Sequence, residues 1–159
     1  MTTKNTDLVA NFEATPQVAN SAAELAGVLR TAHGSVELAA GDSTDNDIVM
    51  LTPIPSNAAV PTLFVGSDTF GGSCTFNVGV YETDGTVKDE DVFATSVADA
   101  AAMADVRYEA ADLNTGSQKL WELAGDSTDP GGYYYVAITF NATGGTAGTL
   151  NWNISYVVD

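Results

Sequence analysis

The chain has 159 residues, the size of one domain, and 45% of them are hydrophobic, enough to bury about 70% of the unfolded surface in a single core. Twenty-one Asp and Glu against five Lys and Arg give a formal net charge of −16, an unfavourable potential for a phosphate backbone, so nucleic acid is a poor partner and none is expected. A single cysteine rules out an intramolecular disulfide and a cysteine-based zinc cage, and no apolar run approaches the ~20 residues needed to span a bilayer.

Residues 1–30 are polar and alanine-rich, with scattered apolar anchors at Leu8, Val9, Phe12, Val18, Leu25, Val28 and Leu29. They read as an extended arm preceding a domain over residues 31–159. The alternative is a short helix with Val18, Ala22, Leu25 and Leu29 on one stripe, capped by Asn20 or Ser21. The opening Met1-Thr2-Thr3-Lys4-Asn5-Thr6-Asp7 lacks the basic and then apolar parts of a secretory signal, so the expectation is synthesis in the cytoplasm without export. His33 is the only histidine; with no second imidazole or thiol beside it, it reads as structural or solvent-facing rather than as a metal ligand or catalytic base. Gly34 to Ala39 alternates as a short strand.

Gly41-Asp42-Ser43-Thr44-Asp45 recurs as Gly125-Asp126-Ser127-Thr128-Asp129. Gly, Asp and Ser suit turns because Gly accepts positive φ and the Asp or Ser side chain bonds to the local backbone. Asp42, Thr44, Asn46 and Asp47 also offer oxygens to calcium, but the glycine and distal glutamate of a calcium loop are missing, so no metal or other cofactor is expected. Three runs rich in Val, Ile, Phe and Thr then read as strands: Ile48 to Thr52, Pro61 to Val65 and Cys74 to Tyr81. In the third, Cys74, Phe76, Val78 and Val80 alternate with Thr75, Asn77 and Gly79, the period of a half-buried strand, and this phase makes Cys74 a small core residue. Ile54-Pro55-Ser56-Asn57 reads as a corner, since proline removes a ladder donor.

Asp84-Gly85 predicts a hairpin turn, and Asp89-Glu90-Asp91 reads as a solvated face rather than as a carboxylate pair across a cleft. Thr95 or Ser96 is expected to cap a short helix over Val97–Ala104, whose alanines favour it. Val106-Arg107-Tyr108 and Gln118 to Leu123 read as short strands separated by a turn at Asn114-Thr115-Gly116-Ser117. At the end, Tyr134, Val136, Ile138 and Phe140, then Leu150, Trp152, Ile154, Tyr156 and Val158, alternate along two long strands, which read as an antiparallel hairpin across Gly144–Gly148. The acceptor patterns at Asn141-Ala142-Thr143 and Asn153-Ile154-Ser155 are discounted without a signal peptide. About eight strands in all predict an all-β, antiparallel two-sheet sandwich with one short helix and the N-terminal arm.

The order of parts in the middle third resembles the jelly-roll cement, or decoration, proteins of tailed-bacteriophage heads. The resemblance lies in a strand ending Ile54-Pro55-Ser56-Asn57-Ala58, a Val-rich strand after it, Phe76-Asn77-Val78-Gly79-Val80-Tyr81, the acidic turn Asp84 to Asp89, and Val92-Phe93-Ala94 leading into alanines. Gly34-Ser35-Val36-Glu37-Leu38 and the two final strands echo it. It implies a structural, non-enzymatic virion protein, homotrimeric, on the outer surface of the capsid, where it binds and stabilises the major capsid protein lattice without contacting nucleic acid or membrane. The expected contact residues are Leu8, Val9 and Phe12, in an arm suited to adding to a neighbour's sheet edge. The alternative is a carbohydrate-binding or host-adhesion sandwich using Tyr133, Tyr135 or Trp121 as stacking platforms. An enzyme is disfavoured: the chain has one histidine, no Gly-x-Ser-x-Gly elbow and no phosphate-cradling loop.

Overall fold

A computed structural model describes residues 4–99, 102–109 and 113–158. Eight strands form two four-stranded antiparallel sheets. β1 (Leu29–Leu38), β8 (Gly148–Val158), β3 (Ala58–Ser67) and β6 (Ala104–Asp105) lie side by side in that order, and β2 (Ile48–Pro55), β7 (Tyr133–Phe140), β4 (Thr75–Tyr81) and β5 (Val87–Ala98) form the other. Apart from the β4–β5 hairpin, each strand is followed by one in the opposite sheet. This is the double Greek key of a jelly roll, and the inward phases of both sheets make one core. Phe76, Val78 and Val80 of β4 and Val136, Ile138 and Phe140 of β7 are fully buried against Leu63 and Val65 of β3 and Leu150 and Ile154 of β8. Phe140 is met edge-on by Phe70 at 5.5 Å and Phe76 at 6.1 Å between ring centroids, the packing that aromatic quadrupoles favour.

The alternation of the last two strands is as expected, but they do not pair. β7 bonds to β2 and β4, whereas β8 bonds to β1 and β3, so the predicted closing hairpin is instead a crossing between sheets. Period two reports which face is buried and is silent about which neighbour supplies the ladder. β2 runs through both Pro53 and Pro55, as an edge strand permits. The corner then occupies Ser56 and Asn57, and carries the chain across to the other sheet.

β4 is buried on both faces rather than half-buried. β5 supplies the second cover: between the pairs Val80↔Asp89 and Val78↔Ala94 it sets four residues (90–93) against the single Gly79 of β4, arching over the strand. A Cβ on Gly79 would stand 2.1 Å from the Asp89 carbonyl oxygen, so only glycine admits this arch. Beneath it Asn77 accepts from the Ser96 N–H (2.9 Å) and from Asn141 Nδ2 (2.6 Å), while the Tyr81 and Thr139 hydroxyls bond to each other.

The expected helix over 97–104 is absent from its described residues. Val97 and Ala98 end β5, paired with Phe76 and Thr75, and Ala104 begins β6; Ala100 and Ala101 lie outside the described residues. Tertiary pairing overrides alanine's propensity here. Asp99, inside the span expected to be helical, accepts from the backbone N–H of Phe70 (2.6 Å) and Gly71 (3.2 Å). The two strands predicted over 106–108 and 118–123 are also corrected. Val106 to Tyr108 turns after β6, and Leu120–Leu123 is a single helical turn, α2, with Leu120 and Leu123 buried three residues apart. The Asn114–Ser117 turn stands.

Arg107 is the largest fully buried side chain. β3 skips register between Ala59 and Thr62, around Pro61, which takes the Val60 carbonyl out of the regular ladder. The Arg107 guanidinium serves that gap: Nε donates to Val60 O at 2.6 Å, and the terminal nitrogens donate to Thr115 Oγ1 and O at 3.1 and 2.8 Å. It lies between the Phe93 and Tyr108 rings, 5.0 and 4.8 Å from their centroids, a cation–π sandwich strengthened by exclusion of water.

Candidate functional site

The arm is not extended throughout. Asp7–Glu13 form a short helix, α1, and the Val18–Leu29 stripe does not become one. Asp7 sits in the first turn, where an acid complements the N-terminal dipole, and Leu8 and Phe12 share a face at i, i+4. Val18 N–H donates to Asn11 O (3.1 Å), Asn11 Nδ2 to Asn20 Oδ1 (2.8 Å) and Asn20 Nδ2 to Leu8 O (3.3 Å), so residues 8–20 fold back as a clip. The helix buries none of its residues. Leu8 is half-buried and Val9 exposed, and Phe12 is 69% exposed; Val18, Leu25, Val28 and Leu29, further along the chain, are exposed as well. The three residues singled out by sequence therefore do share one small element, with no core of their own.

β1 and β2 are edges of their sheets, and a concavity of about 470 Å³ lies between them, bordered by Val36, Ile48 and Met50 and by the first Gly-Asp-Ser-Thr-Asp copy. Asp42 of that copy and Asp47 just after it act as turn acceptors. Asp42 takes the Ala39 N–H (2.9 Å), and Asp47 takes the Thr44 N–H (2.8 Å) and hydroxyl. These Thr44 bonds, the hydroxyl first, hold the Asp47 carboxyl below the usual range.

The second copy does different work. Asp129 accepts from Ser56 Oγ (2.6 Å), fastening the β2–β3 corner to the loop before β7. Asp126 accepts from the Tyr134 hydroxyl and from Lys88 Nζ (3.0 Å), and Lys88 also bridges to Glu82 at 3.0 Å. The Tyr134 hydroxyl and then Lys88 lower the Asp126 pKa. Burial, reinforced by Asp126, pushes the Tyr134 phenol up to about 12. The two carboxylate bonds raise Lys88. Sequence reasoning missed this cluster because its members come from the β4–β5 hairpin, the loop after α2 and β7.

Among the described residues, no group of three or more His, Cys, Asp or Glu is placed to hold a metal ion. His33 is exposed on β1, opposite Asn153. Cys74 is buried and donates to Ala142 O at 3.1 Å, with its pKa raised by burial and then by Asp99, in keeping with a core residue. No helix in the described residues is long and apolar enough to cross a membrane.

Strand order and packing define an eight-stranded jelly-roll sandwich. No protein-family model matches the chain, and no curated protein sequence does. Among solved structures, it is similar to a chain of the cyanophage Pam1 capsid asymmetric unit, with 20% identity over 84% of this chain and 86% of that one and a TM-score of 0.45. It is also similar to a chain of the acid-stable capsid of the Helicobacter pylori bacteriophage KHP30, with 16% identity over 82% and 94% and a TM-score of 0.37.

Proposed function

We propose that this is a virion structural protein of the cement or decoration class, non-enzymatic, which binds the outer surface of a tailed-phage head as a homotrimer and stabilises the lattice of the major capsid protein. The observation that carries this reading is the arm: α1 presents Val9 and Phe12 to solvent and buries nothing, beside a sandwich whose own core is complete without it. An apolar element held on the outside of a closed domain is suited to burial against another chain. The jelly-roll order agrees with the sequence resemblance, although a fold of this kind serves many functions. The charge of −16 favours the outside of a head over its DNA-lined interior.

A trimer adds avidity, because several modest contacts must open together for release. The reading is tested by mixing the purified protein with heads of its phage that lack it, measuring co-sedimentation and heat release of DNA, and determining solution mass by light scattering. A trimer that co-sediments and delays DNA release is expected. A monomer that stays in the supernatant overturns the reading.

A further inference from the structure

The arm leaves unexplained a second concavity, of about 220 Å³, between the β4–β5 hairpin and the loop leading into β7. One part of its lining is the polar ridge of Glu82, Lys88 and Asp126, braced by Tyr134. Another is Tyr133, the first residue of the inner strand β7, paired with Pro55 of the edge strand β2 and 58% exposed. Of the three aromatics considered as stacking platforms, only Tyr133 borders a concavity of this kind; Trp121 packs against the core and Tyr135 is half-buried.

We propose that this concavity is a saccharide subsite that takes one neutral hexopyranose ring. The argument is one of matched faces. A pyranose has an apolar C–H face suited to an aromatic ring and an edge of vicinal hydroxyls that both donate and accept. Tyr133 supplies the ring. The ridge supplies acceptors and a donor side by side: Glu82 has its second carboxylate oxygen, and Lys88 uses two of its three protons on Glu82 and Asp126.

Those ion pairs also fix the groups before a ligand arrives, which lowers the ordering cost of binding. The size selects a single ring, since pockets for drug-sized ligands span roughly 300–1,000 Å³. The charge selects a neutral one. Two carboxylates against one ammonium, on a chain of net charge −16, repel sialylated or sulfated sugars, while the ammonium disfavours a simple cation.

The site is separate from the attachment role and is tested on the free full-length protein. A panel of immobilised neutral glycans ending in glucose, galactose, mannose or N-acetylhexosamine is screened first. Titration with the corresponding free methyl glycosides follows, read by amide chemical shifts. Binding with Kd near ~1 mM, with the largest shifts at Gly131, Tyr133 and Lys88, is expected for at least one neutral glycoside. Tyr133→Ala, an exposed substitution checked by an unchanged melting profile, weakens it at least about tenfold, and Glu82→Gln weakens it less. Absence of binding to every neutral glycoside, binding confined to anionic glycans, or binding that survives Tyr133→Ala overturns the proposal.

Discussion

The two ends of the sandwich are built differently. At one end, the β1–β2, β3–β4 and β7–β8 loops are laced together. Gly144 N–H donates to Ser43 O (2.7 Å), Thr146 N–H to Phe70 O (2.9 Å) and Asn46 N–H to Phe140 O (2.8 Å), and Asp99 holds the β3–β4 loop from the far end of β5. This end buries Phe70, Cys74 and Ser43. At the other end lie the arm, the β4–β5 hairpin and the Tyr133 concavity, where apolar and charged side chains remain partly in water and the tie is an ion-pair cluster. Buried, hydrogen-bonded loops contribute to stability, whereas accessible groups are free to engage other molecules.

Substitutions sharpen that contrast. Phe140→Ala, beneath the laced loops, is expected to cost about 3–5 kcal/mol in urea unfolding, since it deletes an aromatic between two others. Arg107→Met comes next, at about 3 kcal/mol, because it keeps the apolar stem but strands the Val60 and Thr115 carbonyls. Asp99→Ala should cost about 1–3 kcal/mol by removing the acceptor for the Phe70 and Gly71 N–H groups. Lys88→Met, at the open end, should change the unfolding midpoint less than any of these, since ion pairs partly in water contribute little. A Lys88→Met effect equal to that of Asp99→Ala would erase the distinction.

Titration gives a finer version. The folded pKa of Tyr134 is raised to about 12, so its stabilising contribution is whole below the ordinary phenol value of about 10 and is lost as pH rises through the folded value. In ultraviolet titration, Tyr134→Phe should remove a phenolate transition near pH 12. Asp126 is depressed, so its contribution is present above the ordinary carboxyl value of about 4 and is lost as pH falls through the folded one. Asp89, raised by burial under the β5 arch, acts in the opposite direction in acid. Asp126→Asn should therefore flatten the acid limb of stability relative to the parent.

Much of the sandwich is legible from period and punctuation. The phase of Phe76, Val78 and Val80, the Asp84-Gly85 turn and the inward sets of β7 and β8 are local properties, and the fold keeps them. Topology is not local: β7 and β8 look like hairpin partners because each needs an apolar face covered, and a strand in the opposite sheet covers it equally well. Short elements mislead for another reason. Leu120 and Leu123 offer one helical interval, too few residues to separate period three from period two. Arg107 was invisible as a core residue because its burial depends on a register skip 47 residues away. The candidate contacts Leu8, Val9 and Phe12 were visible as apolar anchors in a polar segment, but their helix was not, while the Tyr133 concavity draws on residues from Glu82 to Tyr134 that only the fold assembles.

The central claim is that the open end carries attachment while the closed sandwich carries stability, and deletion of residues 1–20 tests it most directly. The account predicts that the truncated chain keeps the circular dichroism of a β domain and nearly the parent melting temperature, and no longer co-sediments with phage heads. Binding to heads at parental affinity by the truncated, folded protein would contradict it.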